Sequence, residues 1–150
     1  MKVLTLWQPY ATALVLGIKK VETRSWATNY RGELYIHAAA KSYKEIIKII
    51  GSEKAKQLTE YLSRQSNYKS IKELPYGAII GKVEIIDCKQ QFLIMDKWPE
   101  INSLEINWGD YSDYQRFAWR IANPVVFDNP ISIKGMQGLW NWEGDTDGEF

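Results

Sequence analysis

The residues best placed to do chemistry fall within one stretch, Gly17-Ile-Lys19-Lys-Val-Glu22-Thr-Arg24-Ser-Trp26. If residues 20–26 are extended, side chains alternate with period two, so Lys20, Glu22, Arg24 and Trp26 share one face and Val21, Thr23 and Ser25 the other. Lys19, still in a turn, can point to either face. An ammonium, a carboxylate and a guanidinium this close together can orient an anion or hydrogen-bond the edge of a base. The same spacing also fits an ion-pair cluster on an exposed strand, and spacing alone leaves both readings open.

Elsewhere the chemistry is sparse. The chain has one Cys and one His. A structural zinc site needs about four Cys or His ligands and a disulfide framework needs paired cysteines, so the expectation is no metal and no cofactor. His37 sits beside Ile36 and Ala38 in an apolar run and reads as a buried histidine bonded to backbone. Cys88 follows a buried-looking strand with no His or cationic pair beside it in sequence, which describes a structural thiol. Glu143, Asp145, Asp147 and Glu149 fail the spacing of a calcium loop and read as a solvated tail.

The elements that must position these groups are legible in outline. Residues 3–7 alternate as a strand; Pro9 and Gly17 frame a mostly apolar helix over 10–16, which should be buried. Residues 18–26 read as a turn into a strand and 33–38 as a strand, separated by the turn Asn29-Tyr30-Arg31-Gly32. Ser42-Tyr-Lys-Glu45 is a capping-box pattern that opens a helix closed by Gly51. A second helix runs from Ser52 to about Ser63, with Ala55, Leu58, Tyr61 and Leu62 as its inner stripe. The near-continuous apolar run 78–88 predicts a central strand, in which Gly81 marks a bulge or the close approach of another backbone. Residues 97–115 read as an aromatic and acidic connection, 116–122 as a strand, and Pro124 and Pro130 as brackets of another short strand. Together these predict one α+β domain over 1–150, with a small β-barrel or strongly curved sheet as its core and flanking helices.

Composition agrees with that scale. The 150 residues are 45% hydrophobic and 25% charged, and no apolar run reaches the roughly 18 residues of a membrane span, so a soluble cytoplasmic protein is expected, with no membrane partner. Nineteen basic and 18 acidic residues leave +1 overall, but residues 1–75 hold 13 basic and 6 acidic side chains (+7) and residues 76–150 hold 6 and 12 (−6). Part of that excess lies on the exposed helices between 42 and 64. The remainder predicts a local cationic cleft around Lys19 to Arg31 on a neutral domain, and a modest, salt-sensitive affinity.

At these residues the chain resembles a known family. Gly17-x-Lys19-x-x-Glu22-x-Arg24 is similar to the G-x-K-x-x-E-x-R signature of ASCH domains, the activating signal cointegrator homology domains, whose fold is PUA-like. Leu6-Trp7-Gln8-Pro9, Tyr30-Arg31-Gly32, Ile36-His37-Ala38-Ala39, Pro75-Tyr76-Gly77-Ala78-Ile79-Ile80-Gly81 and Lys134-Gly135-x-Gln137-Gly138-Leu139-Trp140 extend the resemblance along almost the whole chain. The resemblance implies a β-barrel with a cleft suited to RNA or a modified nucleotide, lined by Lys19, Glu22 and Arg24, and a role in RNA metabolism or transcription-linked regulation.

Three uses of such a cleft follow. A reader would stack a base on Trp7, Trp26 or Tyr30, contact phosphate or base acceptors with Lys19, Arg24 and Arg31, and hydrogen-bond a base edge through Glu22 or Gln137, with Gln8 beside Trp7 in the same candidate set. A metal-independent ribonuclease would share proton transfer between Lys19 and Glu22 and hold phosphate with Arg24. An amidohydrolase acting on an acylated nucleoside resembles relatives that carry a Thr nucleophile where this chain has Glu22, so here Glu22 itself would have to activate water. The rival class is a coactivator-like protein-interaction module that uses the acidic second half and the surface around Trp98 and Trp108.

Overall fold

The structure is a computed structural model that describes residues 1–113 and 115–144. The acidic end from Asp145 onward, read above as part of a solvated tail, lies outside the described residues. The element order is β1 (Lys2–Leu6), α1 (Tyr10–Val15), β2 (Val21–Arg24), β3 (Gly32–Ala38), α2 (Tyr43–Ile50), α3 (Ser52–Gln65), a 3-10 turn (Ile71–Glu73), β4 (Ala78–Gln90), α4 (Gln91–Ile94), α5 (Ser103–Trp108), β5 (Phe117–Ser132) and β6 (Leu139–Asn141). The strands form one sheet in the order β2-β5-β4-β3-β1-β6, curled into a half-barrel. β1 and β3 pair in parallel and the other described pairs are antiparallel. This is the α+β, PUA-like architecture expected.

Curvature comes from bulges and other register irregularities, where one strand carries extra residues and the local twist sharpens. β4 shifts register against β5 between Ile79 and Gly81, between Lys82 and Glu84, and between Ile85 and Asp87, and β3 shifts against β4 between Ile36 and His37. Gly81 serves both purposes read from the sequence: it borders a bulge, and a side chain there would run into the Val125 carbonyl and the Val15 side chain of α1. Its lack of a Cβ lets α1 lie against the sheet. Leu14 and Val15 of α1 then pack with Leu4, Leu34, Ile36, Ile80, Ile85 and Trp119 in the main core. A second apolar cluster joins α1 to α2, α3 and α5 through Ala13, Ile46, Leu58, Leu62 and Trp108.

Three expectations need correction. The two strands expected across Pro124 and Pro130 are one continuous strand, β5, because the prolines fall where no ladder bond is lost. β2 flanks only Phe117–Arg120 of β5, and the register against β4 steps from Val125 to Ala122 and from Ile131 to Val126, passing over both prolines. The stretch 97–115 is more than a connection, since α5 lies within it. Trp98 and Trp108 cannot form an exposed contact surface, being 6% and 0% exposed. Indole rings of that size are worth more in the core than in water.

His37 is buried, as read: its Nε2 lies 2.6 Å from the Ile133 carbonyl, and burial holds its pKa below the ordinary histidine value. The ring is neutral at pH 7, so Nε2 carries the proton that is donated. Ser42 caps α2 by accepting the Glu45 amide at 3.2 Å.

Replacing Gly81 by alanine is expected to lower stability by about 2–3 kcal/mol, because both obstructing groups belong to the packed core. Urea unfolding at constant m-value measures it; a loss below about 0.5 kcal/mol would show that α1 is free to move away.

Candidate functional site

Helix α1 ends at Gly17, whose φ of +78° is the left-handed conformation that glycine adopts freely. Its amide donates to Leu14 O, and the amides of Ile18 and Lys19 both turn back to Ala13 O. This C-terminal cap reverses the chain and drives Lys19 inward, leaving it 2% exposed. The Lys19 ammonium donates to the Val21 carbonyl and lies 3.4 Å from Glu22 Oε1. Glu22, 6% exposed, also accepts the Thr23 amide on Oε1 at 3.1 Å, and Arg24 approaches Oε2 at 3.7 Å. Oε2 itself is buried with no hydrogen-bond partner.

These side chains border a cavity of about 530 Å³. Lys19, Glu22, Thr23 and Arg24 form one wall; Thr5, Leu6, Trp7 and Tyr10 form a second; Ile50 of α2 and Trp108 of α5 add apolar surface; Gly109, Asp110 and Arg116 close the rim. Arg116 is held by its bond to the Thr23 carbonyl at 2.9 Å and by Asp110 at 3.8 Å. The Ser112 hydroxyl and the nearby Arg116 keep the Asp110 carboxyl below the usual carboxylate range. With three basic residues (Lys19, Arg24, Arg116) against two acidic ones (Glu22, Asp110), the lining keeps only a slight cationic excess where a local cationic cleft was expected.

The sequence-derived candidates divide accordingly. Trp7, Lys19, Glu22 and Arg24 meet in this cavity. Thr23 borders it as well, although strict alternation sets it on the far face. Gln8 is fully buried beside the cavity, its amide bonded to Thr12 and to the Pro75 carbonyl. Trp26 lies past the end of β2 and packs edge-on against Trp119 with ring centroids 4.8 Å apart. Tyr30 donates its hydroxyl to the Glu33 carbonyl, and Arg31 caps the carbonyls of Thr28 and Tyr30. Gln137 is exposed, and none of these last five residues lines the cavity.

One residue missed at the sequence level sits directly behind the signature. Glu105 of α5, 2% exposed, accepts the amides of Lys20 and Val21 on a single oxygen, while its Oε2 has no partner. Burial pushes its pKa up to about 7, against the opposing pull of Lys19 and the two amides, and with the Glu22 charge adding to the rise. Tyr111, buried nearby, has its pKa raised by burial and by the same two carboxylates. The signal was present: Asn102-x-x-Glu105 is a helix-opening pattern of the same kind as Ser42-x-x-Glu45, and the Asn102 side chain accepts the Glu105 amide at 3.0 Å. Three residues further on, Trp108 shares the buried side of α5 with Glu105.

A curled α+β sheet with a polar cavity at the α1–β2 junction defines the class. The ASCH domain family matches residues 4–131, and the chain belongs to that family. It is 34% identical over 139 residues to activating signal cointegrator 1 of Homo sapiens and 33% identical to that of Mus musculus, covering 91% of this chain. The chain spans only 21% of the length of those relatives. Among solved structures, a point mutant of an ASCH protein from Zymomonas mobilis superposes with a TM-score of 0.51 at 17% identity, over 87% of this chain and 74% of that one. The unsubstituted ASCH structure from the same organism gives 0.50 at 14%, over 87% and 72%. At these identities the structures speak for the fold. No described helix is long and apolar enough to cross a membrane.

Glu105 also makes a prediction about pH. Its folded pKa lies above the unfolded value of 4.5, so the native state holds the extra proton, and that contribution to stability is lost as pH rises through about 7. Glu105→Gln keeps an oxygen for the two amides and cannot ionise. Between pH 5 and 8 the stability of the variant relative to wild type should improve by up to about 3 kcal/mol, measured by urea unfolding at each pH. A difference independent of pH would mean that Glu105 stays ionised.

Proposed function

We propose that this chain is an RNA- or nucleotide-binding ASCH domain that takes one nucleotide into the cavity bounded by Lys19, Glu22, Arg24 and Trp7. The observation that carries the reading is the Glu22 Oε2 atom, buried at the cavity wall with no hydrogen-bond partner and with the Arg24 guanidinium 3.7 Å away as an ion pair. A buried carboxylate oxygen left without a hydrogen bond is costly, and the amino or imino N–H of a base edge satisfies it. Arg24 beside it supplies a cation for phosphate or for a base acceptor, and Trp7, 41% exposed at the cavity mouth, offers a stacking face to a base there. Membership of the family and the relationship to a signal cointegrator agree with a role in RNA metabolism or transcription-linked regulation. Coactivator-like binding of a protein partner belongs to the same proposal at a coarser level, and it would use surfaces other than Trp98 and Trp108.

Hydrolysis is the second reading, favoured by the buried Lys19–Glu22 pair at the cavity wall. In a metal-independent ribonuclease or a nucleoside amidohydrolase, Glu22 would take a proton from the attacking 2′-hydroxyl or water. Lys19 would give a proton to the leaving oxygen or amine as its bond to the substrate breaks, and Arg24 would hold the phosphate where there is one. Binding needs fewer assumptions, since Lys19 already donates to Val21 and Glu22.

Retention and cleavage of labelled single-stranded RNA, and turnover of an acylated nucleoside, separate the readings when followed without added metal. Binding should weaken about 10- to 100-fold in Arg24→Ala and in Glu22→Gln, as expected for hydrogen bonds to charged groups. Product that disappears in Lys19→Ala would establish hydrolysis. Absence of both retention and product with the wild-type protein would overturn the proposal.

A further inference from the structure

Of the seven tryptophans, five are buried (Trp98, Trp108, Trp119, Trp140, Trp142) and Trp26 packs on the core; Trp7 is 41% exposed. It is also a cavity-lining residue, so a large apolar ring is held open to solvent at the mouth of the site. The Lys41 ammonium stands over that ring, 4.9 Å from its centroid. Helix α2 begins two residues later and reaches the cavity wall at its other end through Ile50. Its inner side is Tyr43, Ile46, Ile47 and Ile50, packed on the second core cluster. Lys44 and Lys48 are exposed, one turn and about 6 Å apart along the axis. The spacing of four residues sets Lys44 and Lys48 along one side of α2, and Lys41 lies just before the Ser42 cap at the start of that helix. Lys41 pairs with Glu45 at 3.6 Å, whereas Lys44 and Lys48 have no acidic partner among the described residues.

We infer that Trp7 and the Lys41, Lys44 and Lys48 side chains form a track outside the cavity for a single strand of RNA. The nucleotide in the cavity is then one of a run, its neighbour stacks on Trp7, and the phosphates that follow lie along α2. An open aromatic ring beside a line of lysines is the chemistry of single-strand recognition, in which stacking accepts any base and the cations follow the backbone. A duplex does not fit, because its bases are already stacked on one another and withheld from Trp7. The inference rests on the nucleotide reading of the cavity and adds that the ligand is an oligonucleotide, in preference to a free nucleotide.

The test compares a 5′-fluorescein single-stranded RNA of mixed sequence, about ten nucleotides long, with the four nucleoside 5′-monophosphates, across a range of salt concentrations. The proteins are wild type, Trp7→Ala and the double variant Lys44→Ala, Lys48→Ala, whose substitutions lie on the surface. Wild type should bind the oligonucleotide at least about tenfold more tightly than any monophosphate. Trp7→Ala should lose about tenfold or more of the oligonucleotide affinity and less of the monophosphate affinity. The lysine variant should leave monophosphate affinity unchanged and lower the log–log salt slope for the oligonucleotide by about 1.4. Equal affinity for oligonucleotide and monophosphates, or a salt slope untouched by the lysine variant, overturns the track and leaves the cavity reading standing. If neither ligand binds, the cavity reading falls and the track with it.

Discussion

Two carboxylates and one ammonium are enclosed at the junction of α1 and β2, and much of the surrounding structure follows from that. Glu22, Glu105 and Lys19 are each under 10% exposed. Charges withdrawn from water must be met by other charges or by hydrogen bonds, or else be neutralised. All three remedies operate here. Lys19 faces Glu22 and donates to the Val21 carbonyl; Glu22 takes the Thr23 amide; Glu105 takes two amides and gives up part of its charge, with a pKa of about 7. Apart from the Lys19–Glu22 pair, these bonds tie side chain to the backbone of residues 20–23. The signature segment is therefore fixed in place by the same groups that give the cavity its polarity.

The fold supplies what such a cluster needs. The glycine cap of α1 turns Lys19 inward, and the bare Gly81 lets α1 lie close to the curled sheet. Helix α5 brings Glu105 behind β2 and Trp108 to the cavity wall, so an element far along the chain completes a site begun before residue 25. Besides His37 Nδ1 and Gln91 Oε1, the buried side-chain atoms without a hydrogen-bond partner among the described residues are Glu22 Oε2, Glu105 Oε2, Trp108 Nε1, Tyr111 OH and Arg116 Nε, which belong to the cavity wall or the segment behind it. Concentration of unmet hydrogen-bonding capacity in one place is characteristic of a binding site more than of a core.

Legibility in the sequence followed the range of the interaction. Local rules located α1, α2, α3 and the central strand, since caps, glycines and apolar periodicity are written within a few residues. They also brought Lys19, Glu22, Arg24 and Trp7 together as candidates. They failed where the deciding contact is distant. The depth of burial of Trp108 depends on α1 and α3 packing around it, and the continuity of β5 across Pro124 and Pro130 depends on register steps against β4 at which β5 carries the extra residues. Gln8, Tyr30 and Arg31 have hydrogen-bonding side chains, but their bonds to nearby carbonyls can be seen only once the turns are built. Glu105 was within reach through its Asn102 cap; nothing local says that its carboxyl turns inward to the backbone of residues 20 and 21.

A near-balanced cavity of this kind selects by hydrogen-bond pattern and shape, while long-range attraction for a polyanion must come from lysines outside it. The central claim is that Glu22 Oε2 receives a donor from a nucleotide. A crystal structure with a short single-stranded RNA bound tests it most directly. The account predicts a base within the cavity, with an N–H group at hydrogen-bond distance from Glu22 Oε2 and Arg24 on a phosphate or base acceptor. An RNA seated elsewhere, with Glu22 Oε2 still bare, would contradict it.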